Sequence, residues 1–352
     1  MSVFILKFGG STLGKESDVM SALPKIAANI KQYVDKGHQV VVVVSAFSGE
    51  TRELRDTYQS FGIEPNTCYA DYILAMGEQK SSVVLTNYLN NAAKIPAASL
   101  VGAKLPIFTD NNHGDAKIID IDTNAVKSCL NRGLVTVIPG FIGLTLEGET
   151  TTLGLDGSDT TAAFVAGYLG VDECRLYKDV SGVFTANPRR VPSAKIMSEI
   201  DTESMLTFSE LGARILHPRA LEAAIKYDMT IRVLPSFADS KGTVISKNTK
   251  KKKIVGITYW QHEKDLITIS VIGEIENKKI VEALKQNNIK AREFKTEFDK
   301  TSSTVLLDNP DDLNQALQIL HTLAGLDDET AALKAAQMNF FDPGLINIRR
   351  KK

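Results

Sequence analysis

Cysteine is scarce, with three in 352 residues. Cys68, Cys129 and Cys174 lie far apart and form no Cys-x-x-Cys pair. That argues against a disulfide scaffold and a thiolate zinc site, and it fits a reducing compartment. A surplus of one charge is missing too: 41 Lys and Arg stand against 42 Asp and Glu, a formal net charge of −1. Whole-chain electrostatics therefore offer no case for nucleic acid or an anionic membrane as partner. No long apolar run occurs. Near the amino terminus Val3–Leu6 is broken by Lys7, too short for a signal peptide or a membrane anchor. Internal repeats and long low-complexity tracts are also absent. What is present is ordinary globular material, 43% hydrophobic and 24% charged, enough for a sizeable core. At roughly 100–200 residues per domain, the length allows two or three domains. The expectation is a soluble, cytoplasmic enzyme.

Val3–Leu6 reads as a buried strand that enters the turn Gly9-Gly10. From Val19 to Val34 apolar residues recur at helical spacing, and Gly37 stops the pattern. Val40–Val44 is a second strand, and Ser45–Arg52 a polar loop. A helix-rich stretch covers Pro65 to Asn90. Leu105–Phe108, Val135–Ile138, Arg175–Tyr177 and Ile231–Leu234 read as further strands, and Ala162–Leu169 as a closely packed helix. Strands alternating with helices predict an α/β domain with a mostly parallel central sheet covered on both faces. Lys247–Lys253 is a polar, basic run, read as a solvated linker with an anion-binding patch as the alternative. Beyond it, strands at Ile254–Tyr259, Leu266–Ile272, Ile289–Phe294 and Ser303–Leu307 and helices at Lys278–Asn287 and Leu313–Leu323 make a small α+β module. A helical stretch around Ala331–Met338 follows.

Three segments can carry chemistry. In Lys7-Phe8-Gly9-Gly10-Ser11 two glycines let backbone N–H groups approach a phosphate, and the lysine adds charge where phosphoryl oxygens develop theirs. An ordinary strand-turn fits the same residues. In Thr152-Leu153-Gly154-Leu155-Asp156-Gly157-Ser158-Asp159-Thr160-Thr161, glycines, hydroxyls and Asp159 open a helix, which suits an anionic group; simple capping by Ser158 or Asp159 is the alternative. In Lys178-Asp179-Val180-Ser181-Gly182-Val183-Phe184, continuing to Asn187-Pro188-Arg189-Arg190, an acid, an aromatic and arginines follow a strand. They can seat a nucleotide, or form a surface loop.

Taken in order, these segments resemble those of the amino acid kinase superfamily. Gly212-Ala213-Arg214-Ile215-Leu216-His217-Pro218 is similar to the GAKxLHP segment of aspartate kinases. Val43-Val44-Ser45-Ala46, Met76-Gly77-Glu78, Thr109–Ala116, Pro139-Gly140-Phe141-Ile142-Gly143 and the run Arg189, Val191, Pro192 resemble that family as well. The likeness covers residues 3–245, and the module after the linker resembles an ACT domain. The resemblance implies an amino acid kinase domain at 1–246, an ACT-like domain at 254–326 and a tail at 327–352. It implies phosphorylation of the β-carboxylate of L-aspartate by ATP with Mg²⁺, the ion held mainly by the phosphates and by no protein ligand set. Lys7 and Asp159 would be catalytic. Gly9, Gly10, Ser11, Lys178, Asp179, Phe184, Arg189 and Arg214 would face ATP, and Ser45, Glu78 and Ser158 the substrate. His217 is read as structural. The ACT-like module implies a homodimer.

The chain departs from the family pattern in places. Where aspartate kinases read GRGGSD this chain has Leu155, which offers no fork for a substrate carboxylate. Arg52, in the loop after Ser45, is the candidate replacement. KFGGTS is permuted to Ser11-Thr12, Asn187 replaces an aspartate, Lys178 a threonine, Phe184 a tyrosine, and Arg214 a lysine. Three functions stay in view: an aspartate kinase, a superfamily enzyme with another carboxylate substrate, and a catalytically weak regulatory paralogue. The length suits one ACT-like module and a fraction, and Gly273–Lys278 has no Pro-Gly pair. Dimerisation without effector binding is therefore expected over inhibition by lysine or threonine.

Overall fold

The computed structural model describes residues 2–154, 156–263, 266–298 and 301–327. Leu155 and the expected helix at Ala331–Met338 lie outside them. An eight-stranded sheet forms the centre. Its order is Glu199–Ile200, Thr243–Ile245, Thr230–Pro235, Glu173–Lys178, Val3–Phe8, Gln39–Val44, Val135–Pro139, Ala97–Ser99. Every neighbouring pair is parallel except Thr230–Pro235 with Thr243–Ile245. Strands that alternate with helices require crossovers, and crossovers cover both faces of the sheet.

The two-residue period of a strand divides these residues between two cores. Ile5, Val41, Val43, Cys174 and Leu176 point to one face, where Ala162, Ala163 and Ala166 of helix Gly157–Leu169 pack. Leu6, Phe8, Val40, Val42 and Val44 point to the other, against Leu23, Ile26 and Ile30 of helix Val19–Val34 and Leu85 and Leu89 of helix Cys68–Asn91. Alanines on the first face let helix Gly157–Leu169 lie close to the strands, which matters for the site.

A small second sheet, Ile118–Ile121, Ile107–Thr109, Ile142–Leu144 and Thr150–Thr152, flanks the carboxyl ends of the central strands. The module beyond the linker is a four-stranded antiparallel sheet ordered Ile254–Glu263, Leu266–Gly273, Ser302–Leu307, Ala291–Glu293. Ile280 and Leu284 of helix Asn277–Gln286 and Leu317 and Leu320 of helix Leu313–Leu323 share a core with Ile267, Ile269 and Val305. This matches the ACT-like expectation in element order. The linker lysines are solvated, with Lys251 2.5 Å from Glu203 and Lys247 3.5 Å from Asp228.

Two local expectations are corrected. Ser45–Arg52 is not a loop throughout, because helix Glu50–Ser60 begins inside it, after Gly49 at φ 91°. Of that helix only Tyr58 is buried, and almost all its other residues are polar, which makes the segment read as a loop. The strand expected at Ile289–Phe294 narrows to Ala291–Glu293, because Asn288 at φ 61° turns the chain just before it.

Candidate active site

Lys7 and Lys178 end adjacent parallel strands. Lys7 is in register with Leu176, two residues before Lys178, so both lysines project from the face that carries Ile5 and Leu176. Helix Gly157–Leu169 lies on that face and presents Asp159 from its first turn. Asp159 Oδ1 is 2.7 Å from Lys7 Nζ, and Asp159 Oδ2 is 2.5 Å from Lys178 Nζ. The carboxylate is fully buried, while Lys178 retains 17% exposure. Burial works to raise the acid, but the Lys178 and Lys7 charges outweigh it and hold Asp159 down at about 2. Burial pushes the Lys7 ammonium below its usual range, with Asp159 pulling the other way. Burial opposes the Lys178 charge too, but Asp159 holds that ammonium above its usual range. Two ammonium groups on one carboxylate leave positive charge in excess, which suits a polyanion. Capping by Asp159 is thereby corrected: both its oxygens go to lysines, and the N-cap is Asp156, without a side-chain bond.

The glycine turn sits beside this pair. A Cβ on Gly9 would come 3.3 Å from Lys7 Nζ, so the missing side chain leaves the ammonium open to a ligand. A Cβ on Gly10 would lie 2.8 Å from the Ala46 carbonyl oxygen, so glycine lets the segment after Val44 close over the turn. Ser11 is exposed. Thr12 anchors the turn from below, its Oγ1 2.5 Å from Ser236 Oγ, and Ser236 Oγ in turn donates to the Lys178 carbonyl at 2.8 Å. One hydroxyl pair therefore links both lysine-bearing strands.

Ser45 follows the end of the next strand, its N–H donating to the Phe8 carbonyl at 3.1 Å. Glu78 comes from helix Cys68–Asn91, which reaches the same place because a Cβ on Gly77 would lie 2.8 Å from Ala46 Cβ. Glu78 Oε1 accepts the Ala46 N–H at 3.0 Å, and its buried Oε2 has no hydrogen-bond partner among the described residues. Burial pushes Glu78 up to about 8 against the pull of that N–H. Ser158 is buried beneath Gly140, where an added Cβ would come within 2.7 Å of the serine Cβ. Lys7, Gly9, Gly10, Ser45, Glu78, Ser158, Asp159 and Lys178 thus converge at the carboxyl ends of the central strands, where open α/β sheets bind ligands.

Other expected residues stand apart. Asp179 and Arg189 are exposed on the segment after Lys178, and the Arg189 N–H donates to Asn187 Oδ1 at 3.0 Å. Phe184 is half-buried, pairs with Ile196 and packs on the core of the ACT-like module. Arg214 is exposed with its guanidinium 4.9 Å above the Trp260 ring. Arg52 is exposed in the first turn of its helix; its N–H donates to the Gly49 carbonyl at 3.0 Å, and its guanidinium makes no hydrogen bond or ion pair to the described residues. His217 caps helix Pro218–Lys226 by accepting the Arg219 N–H at 3.1 Å, and burial lowers its pKa, which keeps the ring neutral in that structural role.

Two supports are not evident from the sequence. Asp71, fully buried, takes the Thr152 hydroxyl at 2.5 Å, the Thr152 and Gly114 N–H groups at 3.1 Å and His113 Nδ1 at 3.0 Å. It clamps the small sheet and the segment Asp110–Ala116 to helix Cys68–Asn91. Arg219 donates to the carbonyls of Ala116 and Leu153 at 3.1 Å and lies 2.7 Å from Asp115. It therefore fixes the approach to Gly154. The only signal for Asp71 is an acid on the apolar side of a helix; for Arg219 there is none.

The parallel sheet, the glycine turn and the lysine pair on one aspartate define a phosphoryl-transfer enzyme of the amino acid kinase type. The sequence model of the amino acid kinase family matches residues 2–235, and the chain belongs to that family. Within it the chain falls with the aspartate kinases. It is 34% identical over 341 residues to the aspartokinase of Geobacillus stearothermophilus, across 93% of this chain and 81% of that one. It is 37% identical over 270 residues to the aspartate kinase of Pseudomonas putida, across 76% and 64%. In fold it is similar to Escherichia coli aspartokinase III, solved with aspartate and ADP. The TM-score is 0.76 at 19% identity, covering 92% of this chain and 99% of that one.

Proposed function

We propose that the site transfers the γ-phosphoryl group of ATP to the β-carboxylate of L-aspartate, giving ADP and 4-phospho-L-aspartate. The observation that carries this reading is the buried Asp159 held between Lys7 and Lys178. A carboxylate oxygen attacks the γ-phosphorus, the bond to the β,γ-bridging oxygen breaks, and that oxygen leaves on ADP. Aspartate, with a pKa of about 3.9, is already ionised at neutral pH. No general base is needed, and catalysis consists of holding two anions together and neutralising the charge between them.

Lys7 meets the transferring group, and the Gly9 and Gly10 amides with Ser11 cradle the phosphates. Asp159 spaces the two lysines so that both can reach phosphoryl oxygens. Lys178, Asp179, Phe184 and Arg189 belong to the nucleotide side, with Arg214 at its margin. Glu78 Oε2 receives the substrate's α-ammonium, which meets the need of a buried, unpartnered carboxyl oxygen. Ser45 and Ser158 line the acceptor, and Arg52 supplies a guanidinium for its α-carboxylate. Among the described residues no group of three or more His, Cys, Asp or Glu is placed to hold a metal. Mg²⁺ would be held mainly by the phosphate oxygens of ATP, whose charge it would neutralise.

The reading extends to the whole chain as a kinase domain at 1–246, an ACT-like domain at 254–326 and a tail at 327–352. It is a cytoplasmic enzyme that opens a route to amino acids made from aspartate, as its three free cysteines accord with. No helix among the described residues is long and apolar enough to cross a membrane. The ACT-like module pairs two copies without effector binding; the edge strand Ala291–Glu293 is available for such pairing. Light scattering reads the dimer, and unchanged activity in millimolar lysine or threonine reads the lack of an effector.

Leu155 in place of the family arginine favours a second reading, a different carboxylate acceptor. One experiment separates the two: ATP, Mg²⁺ and L-aspartate with hydroxylamine trapping of the acyl phosphate, beside a panel of other amino acids and acylated amino acids. Aspartyl hydroxamate formed at the rate of ADP release supports the first reading. ADP release only with another acceptor overturns it.

A further inference from the structure

The segment after Lys178 has two sides. Asp179, Asn187 and Arg189 face solvent. The other side is built into the ACT-like module: Ala186, Val191 and Ala194 are buried in the same core as Ile257, Ile269, Leu317 and Leu320. The contact is close along its length. The Ile257 N–H donates to the Thr185 carbonyl at 2.7 Å, and a Cβ on Gly256 would meet that same oxygen at 2.7 Å. Arg190 donates to Tyr259 Oη at 2.9 Å and to Asn314 at 2.6 Å.

At the centre is His321, from helix Leu313–Leu323, which is fully buried. Its Nδ1 lies 2.8 Å from Asp327 Oδ1 and its Nε2 2.8 Å from Thr185 Oγ1. A carboxylate only accepts, so Nδ1 carries a proton; burial favours the neutral ring, which leaves Nε2 as an acceptor. Thr185 Oγ1 therefore donates to Nε2, while it accepts the Lys195 N–H at 2.9 Å. Asp327 is itself fixed by Ser193, which donates to Oδ1 at 2.6 Å and accepts from Gln318 at 3.0 Å. Every proton in the chain from Gln318 to Lys195 thus has one consistent place. Such a network specifies one arrangement of the groups it joins. Those groups come from the two ends of the strip Thr185–Lys195, from the module's last helix and, in Asp327, from the chain just after that helix.

We propose that His321 is a positioning residue for nucleotide binding: held in one tautomer by Asp327, it fixes Thr185 and so sets the segment Lys178–Arg189 in its ATP-binding form. The ACT-like module is then a structural part of the nucleotide site, and its last helix acts on ATP affinity without touching ATP. The proposal rests on the reading of Lys178–Arg189 as the nucleotide segment. Its distinguishing consequence is one-sided. Glu78, Ser45 and Ser158 are held by other elements, so the acceptor side stays as it is.

The test uses the full chain and two variants that break the same contact from opposite sides, His321→Ala and Thr185→Val, with His321→Gln as the conservative control. Equilibrium ATP binding by fluorescence or calorimetry is measured beside KM for ATP and for aspartate. Both breaking variants are expected to weaken ATP binding about tenfold. KM for aspartate stays within about twofold, and His321→Gln, whose side-chain oxygen can accept from Thr185, recovers most of the loss. ATP affinity unchanged in Thr185→Val overturns the proposal, even if His321→Ala does not fold. So does an equal loss on both substrates. A wild-type chain that binds no ATP overturns the nucleotide reading as well, whereas tight wild-type binding with unchanged variants removes only the role of His321.

Discussion

Lys7 Nζ and Asp159 Oδ1 lie 2.7 Å apart, with side-chain exposures of 6% and 0%. A buried ion pair contributes little by itself to stability, because desolvation offsets most of the attraction. Here a second lysine shares the carboxylate, so the triad holds more positive charge than its own balance requires. That arrangement is costly while no anion is bound and suits a polyanion-binding site rather than a structural bridge.

Asp159→Asn removes the carboxylate that contacts both ammonium groups. Stability is expected to fall by about 3–5 kcal/mol, read by urea unfolding, and kcat by at least about a hundredfold. The wild type carries a matching acid signature. The folded pKa of Asp159 is depressed to about 2 from 3.8, so its contribution is present above 3.8 and is lost as pH falls toward 2. Asp159→Asn lacks that slope. A variant with wild-type kcat would remove the triad from the mechanism.

Glu78 has the opposite sign. Its folded pKa is raised from 4.5 to about 8, so between these values the folded chain holds a proton that the unfolded chain has lost. Stability therefore declines as pH rises through that window. Glu78→Gln is expected to be more stable than wild type near pH 8, by on the order of 2 kcal/mol, with aspartate affinity sharply reduced. Thermal melts from pH 5 to pH 8 test the first half, and equal slopes for the two proteins would refute it.

Aspartate binding should release a proton near neutral pH, because the incoming ammonium favours ionised Glu78. Calorimetric titrations in buffers of different ionisation enthalpy measure this directly. A buffer-independent heat would mean that Glu78 does not receive the ammonium.

The two glycines of the turn should separate fold from function. Gly10→Ala places a Cβ 2.8 Å from a backbone oxygen and is expected to destabilise the chain by about 1–3 kcal/mol. Gly9→Ala meets side-chain atoms only, Lys7 Nζ at 3.3 Å and Ser11 Oγ at 4.0 Å, and should fold normally while weakening ATP binding about tenfold or more. Comparing melts with ATP affinity for the pair decides the matter; a Gly9→Ala enzyme of normal ATP affinity would place the phosphates elsewhere.

Arg52→Ala should raise KM for aspartate about tenfold and leave KM for ATP unchanged, since it removes an exposed guanidinium that makes no internal bond. Unchanged KM for both substrates would leave the place of the family arginine to another group.

Much of the candidate site is legible in the sequence. Lys7, Gly9, Gly10, Ser158 and Asp159 sit in short runs where strand, turn and helix signals change within a few residues, and such junctions are local. The alternation of strands and helices settled the sheet and its covered faces for the same reason. Helix Glu50–Ser60 escaped because nearly all its residues are polar and it buries a single side chain, so it reads as a solvated loop.

What tertiary structure alone decided is which charges meet. Lys178 could be read as one more cation near the nucleotide, but parallel register sets it beside Lys7, and the alanine-rich helix lets Asp159 reach both. Arg214 resembles a phosphate-side lysine in the sequence, and only the fold places its guanidinium over Trp260, a residue of the other module. His321 and Thr185 are 136 positions apart in the chain, and no local pattern marks either. Spacing along the chain determines strands, turns and caps, because their energies are local. The pairing of buried charges and hydroxyls depends on which faces pack together, and that is settled only when the cores close.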